Sequence, residues 1–499
     1  MLAEKVLQTL WQMGHGNHAA LTPFSFDGKP MQLPSTFAVG ALASASIGVQ
    51  ALAAAQIWQQ RGGSVQAIQL PQRHALAMFS SDRYLRINGQ PAADPWSKIA
   101  GYYQAGDGRW IQLHTNFPHH RDGVLAILQC GDERAQVARA IEQWPAAALE
   151  QTLIEAGMCA AMIRTQAEWQ AHPQAQAIAG LPLFEVERVA DGAPMRLNAR
   201  ALADGADSPS SSVPPRPLSG VRVLDLSRVI AAPVGARALA GHGADVLAVC
   251  AGHLPNIESL LIDMGRGKRA AELDLRETPG REQLQQLVAG ADVFLQAYRP
   301  GALAQYGFAA EELCRANPGL IYVSLSAWGH VGPWAERRGF DSLVQSTSGI
   351  AHEEGLALAA DTEASAVASP GASSASRIAD APAHIAPGKL PFQALDHATG
   401  YLIAYATILA LQRRAVEGGS YHVRLSLAQT GQFLQALPRC GLHESAQALQ
   451  TGEVAAFMQT ASSAWGALEA IAPVEQMALT PVRYELPSAK PGTHAARWE

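Results

Sequence analysis

The stretch PLSGVRVLDLSRVIAAPVGARALAGHGADVLAV, residues 217–249, decides the fold. It opens with VRVLDLS (221–227), a short run of branched apolar residues. A helical pattern follows from about Pro233 to His242, and ADVLAVC (244–250) is a second apolar run. Short runs bounded by helical segments, without polar alternation, predict parallel strands buried on both faces. Downstream the pattern repeats in ADVFLQAY (291–298) and LIYVSLSAW (320–328), each after a helix-like segment. The expected fold class is α/β: a Rossmann-like parallel-sheet large domain with a smaller α+β domain.

Two low-complexity stretches punctuate the chain. ADGADSPSSSVPPRP (203–217) reads as a linker, and the Ala/Ser/Pro-rich 356–389 reads as an exposed insertion. The expected organisation is a helix–strand fragment (1–90), a small domain with a return segment (91–202), the linker, a large domain (218–435) and a tail (436–499). A weak internal repeat links 38–70 with 396–427: a small-residue helix, Gly-Gly-Ser, then a strand of period-2 alternation.

Bulk properties exclude several classes. The 499 residues carry a net charge of −6, with neither a basic stripe for nucleic acid nor an acidic tail. Cysteines 130, 159, 250, 314 and 440 are dispersed and odd in number, which predicts reduced thiols in a cytoplasmic protein. The apolar segment from Phe37 to Trp58 holds too much Ser, Gly and Gln for a membrane span and predicts a buried helix. The N-terminus MLAEKVLQTLWQM lacks the features of a secretory signal. His114, His119, His120 and Asp122 are close in sequence, but the adjacent histidines have poor geometry for shared ligation, so no metal is expected. Nucleotide-hydrolysis, serine-hydrolase and dinucleotide motifs are absent.

Four ordered segments resemble the signatures of family III CoA-transferases, the CaiB/BaiF type: residues 217–249, MGRGKRAAELDL (264–275), ADVFLQAYRPGALAQYGF (291–308) and the segment 317–351. Residues 101–122 and 156–177 resemble that family's small domain, but here they precede the large domain, as though two incomplete copies were fused. The resemblance implies transfer of CoA between an acyl-CoA thioester and a small carboxylic acid, with no permanently bound cofactor. It also implies a homodimer, interlocked in usual members of the family. It places CoA contacts at Val229, Ile230, Ala231, Lys268, Arg269, Tyr298 and Arg299, while Ala251 and Ala297 replace polar or basic family residues.

The reaction needs a carboxylate nucleophile shielded from water. The resemblance places one three residues beyond Gly355, where Leu358 stands. Four acids are candidates. Asp341 and Asp396 lie in ordered segments and rank above Asp361 and Asp380, which lie in the expected insertion. Asp396 could also cap its helix. Two alternatives follow: an idle family member that binds acyl-CoA or a partner transferase subunit, or an acyl-CoA racemase. For the racemase, Phe340 occupies the position of a proton-carrying histidine.

Overall fold

The computed structural model describes residues 1–28, 33–195, 197, 214–367, 385–441 and 449–499. Its main sheet has seven strands: β1 (Phe184–Ala190), β2 (Arg222–Leu226), β3 (Asp245–Cys250), β4 (Arg269–Glu272), β5 (Val293–Gln296), β6 (Ile321–Ser326) and β7 (Ser420–Ser426). The spatial order is β4-β3-β2-β5-β6-β7-β1, all parallel except the antiparallel edge strand β1. Alternate side chains leave the sheet on opposite faces. Val223, Val293, Leu295, Ile321 and Val323 enter the core on one side, and Leu224, Leu226, Phe294 and Tyr322 enter the core on the other. That two-sided burial is why these strands read as continuous apolar runs.

Five helices matter for the site: α1 (Val39–Gln60), α2 (Ala231–Gly241), α3 (Asp341–Thr347), α4 (Ile350–Val367) and α5 (Ala394–Glu417). Helix α5 packs on the main sheet, on α2 and on α1. The contact with α2 is tight because both helices offer glycine there. A Cβ on Gly400 would stand 2.5 Å from the Ala231 carbonyl oxygen, and one on Gly235 would stand 2.8 Å from that of Gly400. Helices α1 and α5 are long and apolar enough to cross a membrane, yet 83% and 100% of their most apolar windows are buried inside the protein. They are core helices.

The repeat is visible in space. Each copy gives a long helix, Gly-Gly-Ser and a strand, but the strands enter different sheets. The first copy's strand, Ile68–Pro71, pairs with Phe24–Asp27 and Gln476–Met477 in a separate three-stranded sheet. Residues 101–162 hold an antiparallel sheet of Gly101–Gln104, Trp110–Leu113 and Ala160–Met162, with its own core against three helices. This unit is fastened to the main body beside α3. Ser346 Oγ donates to Gln112 Oε1 at 2.6 Å, and in the helix that follows the unit, Pro173–Ile178, Gln174 Nε2 donates to the Trp328 and Val331 carbonyls at 2.9 and 2.8 Å.

Three expectations are corrected. The insertion does not begin at 356, because α4 runs on to Val367. The proline-rich segment is not free at its end: Arg216 is buried and donates to the Gly241 and Arg483 carbonyls. The segment after 435 is no detached tail. Met458–Ser463 and Gly466–Ile471 form a hairpin that pairs with Arg86–Ile87, and Trp498 packs on the main-sheet core. Residues 203–213 and 368–384, including Asp380, lie outside the described residues.

Candidate active site

The strand order reverses between β2 and β5, so the loops after these two strands diverge and leave a crevice at their carboxyl ends. Open α/β sheets bind ligands at such a point. Here the β2 loop supplies Arg228, Val229 and Ile230, and the β5 loop supplies Ala297, Tyr298 and Arg299. They line a cleft of about 410 Å³ together with Asp396, Phe340 and the small unit's Phe117, His119 and His120. Val229 has φ +74°, a strained conformation for a β-branched residue, which turns the loop into α2.

Five of the seven residues expected to contact CoA therefore meet in one cleft: Val229, Ile230, Tyr298 and Arg299 with Ala231 at the start of α2. The other two are engaged elsewhere. Lys268 is buried, with Nζ 2.8 Å from Asp225 and 2.9 Å from the Pro233 carbonyl. Arg269 is clamped by Asp245 and the Arg497 carbonyl at the sheet edge. Lys268 balances the buried Asp225 and Arg269 the half-buried Asp245, so the expectation that they face a phosphate does not fit this geometry.

The acids separate as clearly. Asp396 stands in the first turn of α5, and its side chain lines both the large cleft and a smaller cavity beside it, of about 40 Å³. It does not cap its own helix. That part falls to Asp341, whose Oδ2 accepts from the Asp396 amide at 2.9 Å and whose Oδ1 accepts from Gln345 Nε2. Asp341 is 1% exposed, and with its oxygens engaged it braces the helix that presents Asp396. Asp361 is exposed on α4, and Leu358 is 48% exposed on the same helix. Neither lines the cleft.

Burial holds the Asp396 carboxyl well above the usual carboxylate range, and the charges of Asp341 and Asp82 push it the same way. Asp341 is raised to about 6 by burial, against the hydrogen bonds it accepts. Asp82, from the N-terminal fragment, is raised to about 6 by burial and by Asp263. It lines the smaller cavity, 3.9 Å from His397 Nε2. Phe340 lies flat on His114, ring centroids 3.7 Å apart, which closes the cleft floor against the small unit.

Sequence reading missed Arg228, Phe117, Arg338, Phe340 as a cleft wall, and Asp82. Arg228 and Phe340 sit inside recognised segments and could have been named from them. Phe117 and Arg338 also sit inside recognised segments, beside His119 and Phe340, whereas Asp82 comes from a region that none of those segments includes, with no local pattern to mark it.

Residues 218–463 match the model of CoA-transferase family III. An acetyl-coenzyme A transferase of Hypoxylon pulicicidum is 28% identical over 349 residues, 67% of this chain and 54% of the relative. A succinyl-CoA:glutarate CoA-transferase of Mus musculus is 33% identical over 28% of this chain and 35% of its own length. Among solved structures, a CaiB/BaiF family protein from Brucella suis aligns at 26% identity with a TM-score of 0.37, covering 51% of this chain and 65% of that one. The chain spans about half the length of the first curated relatives it matches.

Proposed function

We propose that the protein transfers CoA between an acyl-CoA thioester and a carboxylic acid, with Asp396 as the nucleophile. The observation that carries this reading is the position of Asp396. It is a buried carboxyl without a hydrogen-bond partner among the described residues, opening on the switch-point cleft that the expected CoA loops line.

The chemistry suits those residues. A carboxylate oxygen of Asp396 attacks the thioester carbonyl, the C–S bond breaks, and CoA thiolate leaves a mixed anhydride. The thiolate then attacks the aspartyl carbonyl, releases the first acid and forms an aspartyl thioester. The incoming acid repeats the exchange in reverse order. The anhydride hydrolyses if water reaches it, and the packing of Phe340 against His114 and Phe117 shields that side of the cleft. Asp341 holds the nucleophile's backbone rather than reacting. The fused domain order, a cytoplasmic location and a homodimer belong to the same proposal; light scattering at micromolar concentration should give twice the chain mass.

The test is exchange of CoA from a panel of acyl-CoA donors to free acids, with hydroxylamine trapping of the enzyme thioester. Asp396→Asn should lower turnover more than a hundredfold, on the order of 3 kcal/mol or more, and abolish the trapped adduct. Asp361→Asn should leave both in place. Full turnover by Asp396→Asn would remove this aspartate from the mechanism.

A further inference from the structure

One wall of the cleft carries hydrogen-bond donors that meet no acceptor. Among the described residues Arg228 Nε and Nη2 are buried without a hydrogen-bond partner, and the guanidinium lies 5.2 Å from the Phe117 ring centroid. Phe117 meets His120 edge-on at 5.8 Å, and Arg338 Nη1 is 3.1 Å from His120 Nε2. A guanidinium only donates, so His120 Nε2 accepts and the neutral ring carries its proton on Nδ1. That Nδ1 is also buried without a partner among the described residues. Burial and the neighbouring His119, His114, Arg338 and Arg228 charges keep His120 neutral, its pKa lowered to about 3.

Among the described residues, neither Arg228 nor Arg338 has an acidic partner, whereas the adjacent Arg337 is paired with Glu150 at 3.1 Å. These two guanidiniums without acidic partners line a single cleft together with His120. Unmet buried donors cost free energy until an anion completes them, and a guanidinium fork matches a carboxylate.

We infer that Arg228, Arg338 and His120 form a carboxylate subsite, which holds the far carboxylate of a dicarboxylic acid while its near carboxyl group reaches Asp396. The inference rests on the transfer reading for the identity of the near group. A phosphate of CoA has related chemistry, but the exposed Arg299 at the β5 loop is better placed for a group extending into solvent. His120, at 3% exposure, belongs to the sheltered wall.

Glutarate and pentanoate, five-carbon acids differing in the second carboxylate, separate the cases as acceptors from acetyl-CoA. Glutarate should exceed pentanoate at least tenfold in kcat/KM. Arg338→Gln and Arg228→Gln should each shrink that ratio at least fivefold, and Arg338→Lys should recover part of it. Calorimetry on the unaltered protein with each acid reads the same preference without turnover. If the variants weaken acetyl-CoA binding while the two acids bind alike, the wall holds a CoA phosphate and the subsite is refuted. Selective glutarate binding that Arg338→Gln removes, in a protein showing no exchange, would sink the transfer reading and support the subsite.

Discussion

Asp341 and Asp396 show how much two aspartates can differ when their surroundings do. Asp341 keeps its oxygens on the amides of α5 and on Gln345, whereas Asp396 lines the cleft with its own oxygens unengaged among the described residues. As the proposed nucleophile Asp396 must be ionised, and it is held towards the neutral form by burial, then by Asp341, then by Asp82. The rate should therefore climb with pH as Asp396 loses its proton. Asp82→Asn removes one of the charges that oppose ionisation without touching a hydrogen bond to Asp396. The acidic limb of the pH–rate profile should move to lower pH in this variant, and an unmoved limb would mean that Asp82 does not communicate with Asp396. Contiguous motifs brought Asp396 and the Val229–Ala231 loop into view from sequence alone. The spacing argument that pointed to Leu358 failed because α4 continues through that position and carries it to the surface.

Helix α5 is the element on which the site depends. Its first turn presents Asp396, its body is buried as far as Gln412, and its glycine contact with α2 sets Asp396 beside the Ala231 loop. A methyl group at Gly400 would meet the Ala231 carbonyl oxygen at 2.5 Å, and backbone cannot swing away as a side chain can. Gly400→Ala should cost about 1–3 kcal/mol by overpacking and lower turnover as well, because separating the helices moves Asp396. Unchanged stability, measured by chemical denaturation, would show that α2 and α5 part freely. The strands of the main sheet and both long helices were legible because each combines an apolar run with a clear boundary. The linker end at Arg216 and the segment after 435 were not, because polar residues there are fixed by partners far away in sequence.

At the scale of the whole molecule, the two repeat copies meet through α1 and α5, and the joint is sealed by buried polar groups as well as by apolar packing. His242 Nε2, at the end of α2, donates to Gln50 Oε1 at 2.8 Å, and Gln50 Nε2 donates to Glu475. The chain His242–Gln50–Glu475 thus ties α2, α1 and the segment after 435 together. Burial raises Glu475 from the ordinary 4.5 to about 7, despite the backbone and Gln50 hydrogen bonds that lower it. A carboxyl group raised in the folded state contributes stability in full below its unfolded pKa and loses it as pH climbs through the folded value. Glu475 should therefore weaken the joint between about pH 4.5 and 7. Glu475→Gln keeps the shape and stays neutral, so it escapes this loss. Relative to the unaltered protein, the variant should gain on the order of 3 kcal/mol in going from pH 5 to pH 8. Comparing the two proteins at each pH cancels the opposite trend from buried histidines such as His242 and His397, both lowered to about 3. A stability difference that does not vary with pH would mean that Glu475 stays protonated, or is solvated, across this range, and the buried joint would then be indifferent to its charge.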